Sequence, residues 1–203
     1  MPKLYFYYGS MSAGKSSLLL QSAHNYTESC KKVLLYKPST DTRSIEITSR
    51  LGLSEQCLPI HPLLNIFTDV STIVSNNNNN NIGMINDINC IFIDEAQFLN
   101  KEQVLQLCEI VDKLKIHVLC YGLRTDFMGN LFEGSKYLLA LADKLVEIKS
   151  ICHYCNKKSI MSLRVNSFNE VITDGPQIEC SFSYLSVCRA HYFEKFETVE
   201  KLK

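Results

Sequence analysis

Leu4-Tyr5-Phe6-Tyr7-Tyr8-Gly9-Ser10-Met11-Ser12-Ala13-Gly14-Lys15-Ser16-Ser17 decides the reading of this chain. Leu4 to Tyr8 is a short apolar, aromatic run and reads as a buried strand. Gly9 to Ser16 fits G-x-x-x-x-G-K-[ST] in full, and Ser17 to Tyr26 has helical character. A strand before the motif and a helix after it are the context that separates a phosphate-binding loop from a chance match in a Gly/Ser-rich loop. The residue types follow from the chemistry. Glycines let the backbone curl so that N–H groups converge on phosphate oxygens. The helix start adds the positive end of its dipole. Lys15 is placed for the β- and γ-phosphates, and Ser16 for Mg²⁺. The nucleotide-binding candidates are therefore Gly9, Ser10, Met11, Ser12, Ala13, Gly14, Lys15 and Ser16.

Outward from the loop, short apolar strands alternate with helical stretches. Lys32 to Tyr36, Cys90 to Ile93, His117 to Tyr121 and Lys144 to Ile148 read as strands, with a short one near Cys57 to Ile60. Lys101 to Leu114 and Ser135 to Ala142 read as helices, and another starts near Leu64. This alternation predicts an α/β fold with a mostly parallel sheet. From Ile151 onward the pattern breaks into short strands and turns, so the expected division is 1–150 and 151–203. Asn76 to Asn81 is a run of six asparagines, which predicts a flexible surface loop.

Ile91-Phe92-Ile93 delivers Asp94 and Glu95 at the C-terminal end of a strand, where ligands gather in open α/β sheets. Two adjacent acids repel unless their roles differ. Asp94 is assigned to the metal and Glu95 to proton abstraction, against the alternative that Glu95 is a solvated loop acid. With Ala96 and Gln97 they form the second stretch expected to face the nucleotide. In the loop after the second strand, Arg43 is a candidate to neutralise charge on the transferring phosphoryl group, and Asp41 to hold a magnesium-bound water.

Three of the nine cysteines, with one histidine, have metal-ligand spacing. Cys152-His153-Tyr154-Cys155 is C-x-x-C and Cys188-Arg189-Ala190-His191 is C-x-x-H. Two such knuckles make the closed four-ligand pattern of structural zinc. A redox C-x-x-C opens the helix of a thioredoxin-like βαβ unit, a context not found here. Cys180 stands outside the set.

The 203 residues hold 21 basic and 21 acidic side chains, with a pI near 6.9. That balance argues against nucleic acid or a membrane surface as the main partner. No apolar run approaches the roughly 18 residues of a membrane helix. The start carries no cleavable signal pattern, so a cytoplasmic protein is expected. A helicase-like motor, echoed by Asp94-Glu95-Ala96, needs a track-binding basic surface. A nucleic-acid-gripping zinc ribbon leaves the phosphate loop unexplained.

Together these motifs resemble the zinc-containing (type II) thymidine kinase family, over nearly the whole chain. The resemblance rests on Gly9–Ser16, Asp41-Thr42-Arg43, Asp94-Glu95-Ala96-Gln97-Phe98, Tyr121 to Phe127, the two zinc pairs and Tyr184 to Cys188. It implies a RecA-like ATP-binding domain followed by a small zinc-bearing lasso domain. It implies that Glu95 takes the proton of the deoxyribose 5′-hydroxyl of thymidine or deoxyuridine, which then attacks the γ-phosphate of ATP. Met11, Phe98, Leu123, Phe127 and Phe132 match positions that wall the thymine pocket. Ser162, ahead of Met161, matches the position near the 5-methyl group. Gly175, Pro176, Gln177, Ile178 and Glu179 match the lasso, and Tyr184 a tyrosine that closes it. The family also implies homotetramers and inhibition by dTTP. Two features depart from it: Glu179 and Cys180 stand where a glycine pair usually follows the lasso isoleucine, and the asparagine run is not a family feature.

Overall fold

A computed structural model describes residues 1–39, 46–80, 88–179 and 181–200. Six strands form one sheet: β1 (Leu4–Gly9), β2 (Lys32–Pro38), β5 (Leu58–Ile60), β6 (Ile88–Ile93), β7 (His117–Leu123) and β8 (Lys144–Glu147). Their order is β5-β2-β6-β7-β1-β8, and every neighbouring pair is parallel. The apolar runs are continuous rather than alternating because the sheet is covered on both faces. On one face Phe6, Ile91, Ile93 and Val118 pack with Ile66, Val70, Val104, Leu107 and Leu138. These come from α2 (Ile66–Asn80), α3 (Lys101–Glu109) and α4 (Glu133–Leu141). On the other face, Leu19, Leu20 and Ala23 of α1 (Lys15–Glu28) cover Cys90, Phe92, Leu119 and Tyr121. The expected α/β fold with a parallel sheet is the fold of this chain.

The asparagine run differs from its expectation. α2 continues through Asn80, so Asn76 to Asn80 are helical, while Asn81 lies outside the described residues. Once Ile66, Val70 and Val74 are packed against the core, each further residue adds one hydrogen bond without a new nucleation cost. The stretch Lys101 to Leu114 also differs: α3 gives way at Ile110 to a wider π turn over Ile110–Leu114.

A short antiparallel pair, β3 (Glu46–Thr48) and β4 (Ser54–Gln56), lies between β2 and β5. After β8 the topology changes. β9 (Ser150–Ile151) and β10 (Lys158–Ser159) form a small hairpin sheet, and β12 (Val171–Ile172), β11 (Met161–Val165) and β13 (Ser183–Val187) form an antiparallel sheet in that order. Helix α5 (Arg189–Glu200) follows and packs on it through Tyr192. No helix among the described residues is long and apolar enough to cross a membrane.

Candidate active site

The loop after β1 turns through two left-handed residues, Ser12 (φ 58°) and Gly14 (φ 82°). Gly14 has open space around it, so its backbone conformation, rather than crowding, is what calls for glycine there. α1 then begins with no side-chain cap and no acidic residue in its first turn. Its first N–H groups and positive dipole end are therefore left for an external anion. Lys15 is nine-tenths buried, and its Nζ donates to the Ser10 carbonyl at 2.9 Å. Burial lowers its pKa, opposed by the charges of Glu95 and Asp94.

Asp94 follows the end of β6 and is buried. The Ser16 hydroxyl donates to its Oδ2 at 2.9 Å, while Oδ1 has no partner among the described residues. Burial and the neighbouring Glu95 charge push the Asp94 carboxyl up to about 6, against the pull of Ser16, a backbone N–H and Lys15. A buried carboxylate with one free oxygen beside a hydroxyl is a donor set suited to a hard divalent cation, such as Mg²⁺.

Glu95 is held in the left-handed region (φ 50°), a strained conformation for a residue with a side chain and one that recurs at functional sites. Its Oε2 accepts from Gln97 Nε2 at 2.5 Å, and Gln97 Oε1 accepts the Leu123 N–H at 3.0 Å. Ala96 lies with the core behind them.

Three serines far along the chain grip the phosphate loop. Ser10 and Ser159 share a hydroxyl–hydroxyl bond of 2.9 Å. The Met11 N–H donates to Ser162 Oγ at 3.3 Å, and Ser186 Oγ donates to the Met11 carbonyl. The antiparallel sheet is thereby docked on the loop. Between them lies a cavity of about 350 Å³, within the size range of small-molecule sites. Met11, Glu95, Gln97, Phe98, Leu123, Phe127, Ser162, Gln177, Ile178, Glu179 and Tyr184 line it, as do Arg50, Thr125, Asp126, Phe182 and Ser183. Phe132 stands behind the wall, edge-on to Phe98 at 5.7 Å. Gly175 and Pro176 lie outside the lining, although the Pro176 carbonyl is held by Arg164. Asp41, Arg43 and Cys180 lie outside the described residues.

The sequence reading passed over Asp126. It is buried, its Oδ1 accepts the Met128 and Asn130 N–H groups at 2.9 and 2.8 Å, and its Oδ2 accepts from Gln177 Nε2 at 3.0 Å. It also passed over Arg164. A cation placed between Leu163 and Val165 in an otherwise apolar strand end was the available signal of a buried, partnered charge.

Cys152, Cys155, Cys188 and His191 bring their ligand atoms within 4.8 Å of one another. Tetrahedral zinc at its usual bond lengths places sulfur and nitrogen ligands about 3.5–3.8 Å apart. The observed separations are 3.5 Å for Cys152 Sγ to His191 Nδ1, 3.9 Å for Cys155 Sγ to Cys188 Sγ, and 3.3 Å for Cys188 Sγ to His191 Nδ1. Burial pushes the Cys152 thiol up, but the Cys188, Tyr154 and Cys155 backbone and the His191 ring outweigh it and bring it down to about 6. That favours the thiolate a metal needs. The cluster fits a zinc ion.

A phosphate cradle opening on a small-molecule cavity, with a strained carboxylate at the junction, defines the class: a P-loop phosphotransferase. The profile of the family described as thymidine kinase matches residues 2–192. The thymidine kinase of Pasteurella multocida is 50% identical over 199 residues, covering 96% of this chain and 98% of that one. That of Haemophilus influenzae is 49% identical over 199 residues, with the same coverage. That of Yersinia pseudotuberculosis is 48% identical over 198 residues, covering 96% of each. The chain belongs to the thymidine kinase family.

Proposed function

We propose that this chain transfers the γ-phosphate of ATP to the 5′-hydroxyl of thymidine, and of deoxyuridine, giving the 5′-monophosphate. The observation that carries this reading is the shared wall of one cavity: Met11 of the phosphate loop and Glu95 both face it. An acceptor hydroxyl placed there has a phosphate donor on one side and a proton acceptor on the other.

The roles follow from position. The loop from Gly9 to Ser16 cradles the triphosphate with backbone N–H groups, and Lys15 supplies a buried positive charge to its outer phosphates. The Met11 N–H is already satisfied by Ser162, so Met11 serves as the hinge between nucleotide and nucleoside rather than as a phosphate donor. Ser16 and Asp94 hold Mg²⁺, which when bound neutralises charge building up on the phosphoryl oxygens. Glu95 removes the 5′-hydroxyl proton as that oxygen attacks the γ-phosphorus, and the bond from the γ-phosphorus to the β–γ bridging oxygen breaks, releasing ADP. Gln97 keeps the Glu95 carboxylate turned toward the cavity. Phe98, Leu123 and Phe127 supply an apolar wall for a pyrimidine, and Ser162 stands at the 5-methyl edge. Gln177, Ile178 and Glu179 read the base edge through their backbone, with Tyr184 closing the side. Arg43 and Asp41 are assigned, on their residue types and the family resemblance alone, to the phosphoryl charge and a magnesium-bound water.

Residues 1–150 are the ATP-binding unit and 151–203 the substrate-binding unit. The zinc is structural, because four protein ligands leave no open position for chemistry. A cytoplasmic homotetramer inhibited by dTTP completes the proposal. Its test is transfer of phosphate from ATP-Mg to thymidine, with deoxycytidine as the control.

A further inference from the structure

Arg164 lies on β11 and its side chain is fully buried. It makes no ion pair among the described residues. A buried cation without a counter-ion is costly unless hydrogen-bond acceptors and polarisable faces surround it. Here nearly all of that surrounding comes from one stretch of chain. Nη2 donates to the Pro176 carbonyl at 2.6 Å and to the Gln177 carbonyl at 3.4 Å. Nε donates to Tyr184 Oη at 3.2 Å, and the Tyr184 hydroxyl donates onward to the Glu179 carbonyl at 3.2 Å. The guanidinium lies 3.6 Å from the Phe127 ring centre, with Phe182 at 5.4 Å and Tyr184 at 5.6 Å. Nη1 has no partner. A Cβ on Gly175, whose φ is 108°, would sit 3.3 Å from Nη1.

Phe127, Gln177, Glu179, Phe182 and Tyr184 line the cavity, and Arg164 does not. The cation therefore stands behind the wall and is bonded to the residues that form it. Residues 174–178 are themselves exposed, so little apolar burial holds them down. If they lifted away, the guanidinium would lose its carbonyl acceptors while its base stayed in the sheet.

We propose that Arg164 is the positioning residue of the cavity: it latches residues 175–179 closed, in the free protein, through the carbonyls of Pro176 and Gln177 and the ring of Phe127. The inference rests on the reading of this cavity as the nucleoside site. The role requires arginine. A planar fork can stack on an aromatic ring and serve two carbonyls and a hydroxyl together, whereas an ammonium is a compact, strongly hydrated charge that does neither.

The test uses Arg164→Lys and Arg164→Gln, checked first for bound zinc. Amide hydrogen exchange across 175–179 is measured without nucleoside, and KM for thymidine and for ATP alongside it. The expected result is exchange at least about tenfold faster at 175–179 in both variants, with β1 and β7 unchanged. The KM for thymidine rises about tenfold or more while that for ATP moves less than about threefold, and lysine does not rescue. Unchanged exchange at 175–179 in a zinc-loaded variant overturns the proposal. So does recovery of wild-type exchange by lysine. Should neither variant fold, Phe127→Leu carries the same exchange test, since it removes the ring on which the guanidinium rests and leaves the chain of 175–179 itself unaltered. If the wild-type protein fails to phosphorylate thymidine, the reading of the cavity falls, and the exchange result still decides the role of Arg164.

Discussion

The Gln97 side-chain amide donates to the Glu95 carboxylate, Nε2 to Oε2, at 2.5 Å. The direction of that bond is fixed from behind. Gln97 Oε1 accepts the Leu123 N–H, so its NH₂ end has to face Glu95. The strained backbone at Glu95 and this bond together aim one carboxylate into the cavity. Glu95→Gln keeps the volume and removes the carboxylate proposed as the base. It is expected to cut turnover by at least about a hundredfold while ATP affinity stays within a few-fold. Steady-state kinetics with a separate nucleotide-binding titration check it. Turnover near that of the wild type removes Glu95 from the base role.

Asp94 gives a prediction about stability. Its carboxyl is raised to about 6 in the folded chain, chiefly by burial and by Glu95. The sign follows from linkage. Between the ordinary carboxylate pKa and about 6, the native state binds more protons than the unfolded state, so stability falls as pH rises through this window. Asp94→Asn removes the buried charge. In metal-free protein it is expected to stabilise the fold at pH 8 by on the order of 1–3 kcal/mol. That gain shrinks as pH falls from about 6 toward 4, and phosphate transfer is lost throughout. Denaturant titrations at pH 8 and pH 4.5 in chelator are the measurement. A gain that is equal at both pH values, or larger at pH 4.5, contradicts the assignment.

Cys188 tests the metal cluster. Its thiol lies within 3.9 Å of both Cys155 Sγ and His191 Nδ1. Cys188→Ser is expected to lower bound zinc from about one per chain to below about a tenth. Proteolysis of 151–200 is expected to accelerate well before that of the six-stranded sheet. Elemental analysis of the purified variant settles it. Zinc content equal to that of the wild type shows that Cys188 is not a ligand.

The parts of this site legible in the sequence are those written in contiguous residues. A phosphate loop declares itself because glycine, lysine and serine must stand at fixed offsets around a turn. The zinc knuckles do so because a metal sets the spacing within each pair. The strand ending at Asp94 is legible as an apolar run that stops at two acids. What the sequence hid is carried by long-range partners. The grip of Ser159, Ser162 and Ser186 on Ser10 and Met11 joins residues about 150 positions or more apart, and a lone serine carries no signal of its partner. Asp126 is hidden for the same reason, and Arg164 in its apolar strand end declares only that it is buried and partnered: the backbone groups that partner each are delivered by the fold. The asparagine run was misread because composition alone set the expectation, whereas the packed residues upstream in α2 set the outcome. Ser162, read ahead of Met161, and Phe98 line the cavity, whereas Phe132 does not and instead supports Phe98 from behind.

The most direct measurement is transfer of labelled γ-phosphate from ATP-Mg to thymidine, deoxyuridine, deoxycytidine and deoxyadenosine. The account predicts labelled monophosphate from thymidine and deoxyuridine, and at least about a hundredfold less from the other two, whose base edges leave the lasso backbone groups mispaired. ATP turnover with no nucleoside acceptor, or equal labelling of all four, contradicts it.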